Sequence, residues 1–84
     1  MMRIIVTGRF ERDFRKLPKE VKRRIDEAIR LLAEKPYMGK ALRGSLAGRR
    51  SLRVGDYRVI YRIDEERKAV ILLCVGHRRA IYRP

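Results

Sequence analysis

Eighty-four residues make one small domain, and an apolar fraction of 45% supports one core rather than two. A formal net charge of +13, with 39% of residues charged, points to a polyanionic partner: RNA, DNA, the ribosome or an acidic protein. The single cysteine, Cys74, excludes an intrachain disulfide, and one Cys with one His cannot fill a tetrahedral zinc site, so no metal or cofactor is expected. Arg3 interrupts any leader-like start and no apolar run approaches a membrane span, so the expectation is a cytoplasmic protein without a membrane partner.

In chain order, Arg3 to Val6 predicts a short strand, and Thr7 is placed to cap a helix. Phe10, Phe14 and Leu17 recur at spacings of four and three, one face of that helix. Pro18 breaks it and suits the first turn of a second helix, Lys19 to Glu34, whose buried stripe is Val21, Ile25, Ala28, Ile29 and Leu32. The helix charges read as solvated faces. Lys35-Pro36 ends the second helix, and Tyr37 to Gly48 reads as a loop anchored by Leu42 and Leu46.

Arg49–Val54 and Tyr57–Asp64 then predict two antiparallel strands around a Gly55-Asp56 turn. In the second strand Tyr57, Val59, Tyr61 and Ile63 point one way, and Arg58, Ile60, Arg62 and Asp64 the other. Lys68 to Val75 is apolar on both faces, which predicts a central strand. Strand, two helices, then three consecutive strands indicate an α+β fold: an antiparallel meander with a helix hairpin on one face. Arginines on the other face must keep water or find an anion, so that face is expected to bind phosphate. The charge distribution agrees. Residues 1–38 carry 11 Lys/Arg against 6 Asp/Glu, and residues 39–84 carry 12 against 4, ten of those twelve being arginine.

Several residues in this order resemble the RelE/ParE toxin superfamily, and within it the RelE-like messenger-RNA-cleaving toxins. They are Phe10 to Leu17, the stripe and Pro36 of the second helix, Leu42-Arg43-Gly44, the run Leu52 to Tyr61, and Val75-Gly76-His77-Arg78-Arg79 with Tyr82. The likeness covers almost the whole chain, so residues 1–84 are expected to form one toxin domain. It implies a type II toxin–antitoxin system, a small RelB-like or other antitoxin, and the ribosome and mRNA as targets. A toxin–antitoxin heterotetramer is among the assemblies it leaves open.

RNA can be cut by its own 2′-hydroxyl, without a metal. A protein assists with a base, an acid, and donors for the charge that gathers on phosphorus. Arg58 suits the last role, unless an ion pair with Asp56 or Asp64 occupies it. The resemblance implies catalytic roles for Arg58 and Arg78, and places a late tyrosine, here Tyr82, in the site as a stacking platform or base. His77 has an ordinary pKa nearest neutrality, which makes it a candidate acid or base. Arg49, Arg50 and Arg53 resemble the family's RNA-facing strand, with Arg79 and Arg83 as further RNA contacts. Some relatives carry two lysines on that strand as proton carriers, where this chain has Arg49 and Ser51. The general base is therefore not assigned between His77 and Tyr82. Two other functions remain open: a ParE-like toxin that binds DNA gyrase, or an RNA-binding relative with weakened catalysis.

Overall fold

Thr7 opens the first helix by satisfying two elements with one hydroxyl. In a computed structural model, which describes residues 1–81, its Oγ1 accepts the Phe10 amide at 3.2 Å and donates to the Leu72 carbonyl at 2.8 Å. The elements in order are β1 (Arg3–Val6), α1 (Gly8–Arg15), α2 (Lys19–Glu34), β2 (Lys40–Ala41), β3 (Arg50–Val54), β4 (Tyr57–Asp64) and β5 (Ala69–His77). Short 3-10 turns lie at Pro36–Met38 and Gly44–Leu46. Strand β4 and helix α2 fall where the residue pattern places them, because period-2 alternation and the Pro18–Pro36 bracket define both.

The sheet is larger than the expected meander. Five strands stand in the order β1-β5-β4-β3-β2, with β1 parallel to β5 and the remaining pairs antiparallel. Two corrections follow. The loop after Pro36 contains a two-residue strand, too short to show any alternation. The last strand continues through Gly76 and His77 rather than stopping at Val75.

Strand β5 also carries a bulge. Ile60 pairs with Cys74 and Tyr61 with Leu72, which leaves Leu73 as the extra residue. The bulge resets the alternation, so Val70, Leu72 and Val75 all reach the helix-side core, while Ile71 and Cys74 lie on the other face. Past the end of β1, helix α1 covers the exposed edge of β5, and the Asp13 carboxylate accepts the Val75 amide at 3.2 Å.

Both helices lie on one sheet face. The core between them contains Phe10, Ile25, Leu32, Leu52, Val59, Tyr61, Val70, Leu72 and Val75. Each fully buried aliphatic side chain there contributes roughly 1.5–3 kcal/mol. The helix acids pair locally with arginines at helical spacing: Glu11 with Arg15, Asp13 with Arg9, Glu20 with Arg23 and Asp26 with Arg30. These pairs are solvent-exposed and add little stability, but they use carboxylates that could otherwise neutralise the sheet.

Candidate active site

The turn that shapes the site is Gly55-Asp56, with Gly55 at a φ of +60°, a conformation glycine adopts without a Cβ penalty. It sets the register that puts Arg53 directly opposite Arg58, and Gly76 of β5 opposite Arg58 on the other side. Paired residues share a face, so Arg53, Arg58 and Arg62 all stand on the face away from the helices. On that face an open hollow of about 560 Å³ is lined by Met38, Gly39, Lys40, Leu42, Ser51, Leu52, Arg53 and Arg58.

Arg58 is half-buried and makes no ion pair or hydrogen bond among the described residues. The competing ion pair with Asp64 is absent, because the Asp64 carboxylate binds the Arg67 guanidinium at 3.0 Å and the Arg67 amide at 3.1 Å. These contacts, the backbone one foremost, hold the Asp64 carboxyl below its ordinary range. Arg53 donates through Nε to the Gly55 carbonyl at 3.3 Å. Arg53 and Arg58 therefore stand opposite each other across a strand pair with no carboxylate paired to either among the described residues, an arrangement that favours a bound anion.

The C-terminal turn returns to this face. The Arg78 amide donates to the Asp56 carbonyl at 2.8 Å, which ties the end of β5 to the β3–β4 turn. Ile81 then rests on Gly76: a Cβ at position 76 would lie 3.3 Å from the Ile81 Cδ1. Glycine directly opposite Arg58 thus lets the chain fold back over the arginine face. Arg78 and Arg79 are exposed. Tyr82 and Arg83 lie outside the described residues.

Of the expected site residues among those described, only Arg53 and Arg58 line this hollow; Arg49, Arg78 and Arg79 do not, and His77 and Arg50 are turned to the other side of the sheet. His77 pairs with Tyr57 and packs against its ring edge-on, with centroids 5.5 Å apart, which places it on the helix side of the sheet. Its Nδ1 accepts the Arg79 amide at 3.2 Å, so the ring nitrogen nearest the chain is used in holding the turn. Arg50 pairs with Tyr61, also on the helix side. Its guanidinium donates to the Tyr37 carbonyl at 3.0 Å and to the Gly39 carbonyl, and stacks over the Tyr37 ring at 5.3 Å. Among the strand arginines Arg50 is therefore a tether for the segment after α2. Arg49 is exposed. Cys74 is a buried strand residue, as its apolar setting suggests, and burial pushes its thiol upward, away from nucleophilic thiolate.

The pattern missed the second wall of the hollow. Met38, Gly39, Lys40 and Leu42 come from a stretch read as a loop, in which Leu42 was expected only as an anchor to the core. Gly39 is the informative one. A Cβ there would lie 2.5 Å from the Tyr61 hydroxyl and 2.9 Å from the Ser51 carbonyl, so only glycine permits this approach.

Residues 4–82 match the family described as ParE toxin of type II toxin-antitoxin system, parDE. The chain belongs to that family. This toxin is 44% identical over 84 residues to Toxin RelG of Mycobacterium tuberculosis, a match covering 98% of this chain and 94% of that protein. It is 35% identical over 82 residues to Toxin RelE of the same organism, covering 95% and 84% of the two chains. Its fold superposes with a TM-score of 0.85 on a chain from the crystal structure of the M. tuberculosis toxin–antitoxin complex RelBE2, at 40% identity over 90% of this chain and 96% of that one. The toxin is thus a member of the RelE/ParE superfamily, with the α+β architecture of its RelE-like neighbours.

Proposed function

We propose that this toxin is an endoribonuclease that cuts translated mRNA in the ribosomal A site. The 2′-hydroxyl attacks the neighbouring phosphorus, and Arg58, with Arg53 beside it, stabilises the charge that develops there. The observation that carries this reading is the half-buried Arg58, without a counterion among the described residues, opposite Arg53 in an open hollow. Arg78, fixed by its amide at the β3–β4 turn, is the second catalytic arginine of the proposal, and Arg49 and Arg79 serve as exposed phosphate contacts. The cognate antitoxin takes the apolar groove of about 380 Å³ between β1 and the helices, lined by Ile4, Val6, Phe10, Phe14, Ile29 and Leu72.

The test is primer extension on mRNA in stalled ribosomes with purified toxin. Cleavage is expected within the A-site codon, and Arg58→Ala and Arg78→Ala are each expected to slow cleavage by about 10²-fold or more and to abolish growth arrest. Uncut message under conditions where a control nuclease toxin cuts would refute the proposal. The matching family carries the ParE name, and the resemblance to ParE-like toxins implies a second reading, inhibition of DNA gyrase by binding. Gyrase supercoiling that is unaffected by stoichiometric toxin removes it.

A further inference from the structure

Proton transfer is the part of this reaction that guanidinium groups do not perform, since they stay charged throughout the accessible pH range. Resting on the nuclease reading, we propose that Lys40 is the general acid of the site. Of the described residues lining the hollow, Lys40 is the only one besides the two arginines with an ordinarily titratable side chain. It pairs with Ser51 across β2 and β3, so it shares the face of Ser51, Arg53 and Arg58. His77, the other described candidate, is held on the opposite side of the sheet against Tyr57.

The surroundings of Lys40 are built to fix it. Strand β2 is only two residues long and lies at the sheet edge, where two ladder pairs and the Leu42 amide, which donates to the Arg49 carbonyl at 2.9 Å, hold it on one side only. The residue before Lys40 is clamped as well. The Gly39 amide donates to the Tyr61 hydroxyl at 3.1 Å, and that hydroxyl donates to the Pro36 carbonyl at 2.7 Å. Arg50 holds the Tyr37 and Gly39 carbonyls from the same side. A fully buried tyrosine, an arginine and a sterically required glycine thus all act on the segment that presents one exposed lysine. Tyr61, Arg50 and Gly39 are positioning residues for Lys40.

The step balances as follows. The 2′-oxygen–phosphorus bond forms and the phosphorus–5′-oxygen bond breaks. Water accepts the proton of the 2′-hydroxyl, and the Lys40 ammonium gives one to the departing 5′-oxygen. The products are a 2′,3′-cyclic phosphate and a 5′-hydroxyl, and the Lys40 amine regains a proton from solvent.

The test uses the full chain on ribosome-bound mRNA carrying either an ordinary A-site linkage or a 5′-bridging phosphorothiolate, whose sulfur leaves without needing a proton. Lys40→Arg keeps the charge but removes the proton donor. Its single-turnover rate on the ordinary linkage is expected to fall by about 10²-fold or more. On the phosphorothiolate it is expected to match the parent within a few-fold, while Arg58→Ala stays slow on both. Lys40→Arg cutting the ordinary linkage at the parent rate, or slow to the same degree on both linkages, overturns the assignment. A parent chain that cuts neither linkage overturns the nuclease reading itself, and the role of Lys40 with it.

Discussion

Strands β3 and β4 offer two faces made from alternate residues of one stretch, and the faces follow opposite rules. On the helix side Leu52, Val59 and Tyr61 are buried, and the one buried hydroxyl has both a donor and an acceptor partner. On the other side Arg53 and Arg58 stand opposite each other and make no ion pair among the described residues, although Glu11, Asp13, Glu20, Asp26 and Asp64 each pair with an arginine elsewhere. The contrast separates what holds the fold from what the fold displays. Apolar burial on the first face offsets the self-repulsion of the second, and a bound polyanion would remove that repulsion altogether.

Substitutions that separate the faces give the sharpest tests. Leu72→Ala leaves a cavity beneath fully buried neighbours and is expected to destabilise the fold by about 2–5 kcal/mol in urea titration. The reverse is expected of Arg58→Ala: a rate loss of about 10²–10³-fold, roughly 3–4 kcal/mol in the barrier, with thermal stability unchanged or raised. A melting temperature that falls in Arg58→Ala as far as in Leu72→Ala would erase the distinction between the faces. Tyr61→Phe keeps the ring and removes the hydroxyl shared by Gly39 and Pro36, which costs roughly 1–3 kcal/mol. Its kcat is expected to fall more than its KM rises, because the Lys40 wall loosens while Arg53 and Arg58 stay in place.

Smaller effects lie at the charged positions. Arg53→Gln removes one of two like charges directly opposite each other and is expected to raise stability by up to about 1 kcal/mol, more visibly at low salt. Asp64→Asn probes the acid limb. The folded carboxyl sits below its ordinary value of 3.8, so its contribution is present above that value and disappears as pH falls through the lower folded one. The Asn variant is expected to lose that segment of the stability–pH curve and leave neutral-pH cleavage unchanged.

How much of this was legible in the residues depended on range. Helix α2 was readable to its ends because Val21, Ile25, Ala28, Ile29 and Leu32 repeat at helical spacing between two prolines. The orientation of Arg58 followed from strand alternation alone. The parallel pairing of β1 with β5 was not readable, since Arg3 meets Ala69 across most of the chain and no local pattern records that partnership. Nor was the Leu73 bulge, because a strand apolar on both faces hides a change of phase. Arg50 looked like its neighbours Arg49 and Arg53; only its one-residue offset, which turns it to the tyrosine side, separates a tether from a phosphate contact. Lys40 carried no signal, because two residues of strand cannot alternate.

The position of β5 has a consequence for biosynthesis. It is the last strand to be made, yet it stands between β1 and β4, and its residues Leu72, Leu73 and Val75 hold the hydroxyl and carboxylate that dock α1. An emerging chain that lacks residues 69–77 has no parallel partner for its first strand and no floor for its first helix. The nascent polypeptide therefore reaches its native topology only once that segment has cleared the exit tunnel.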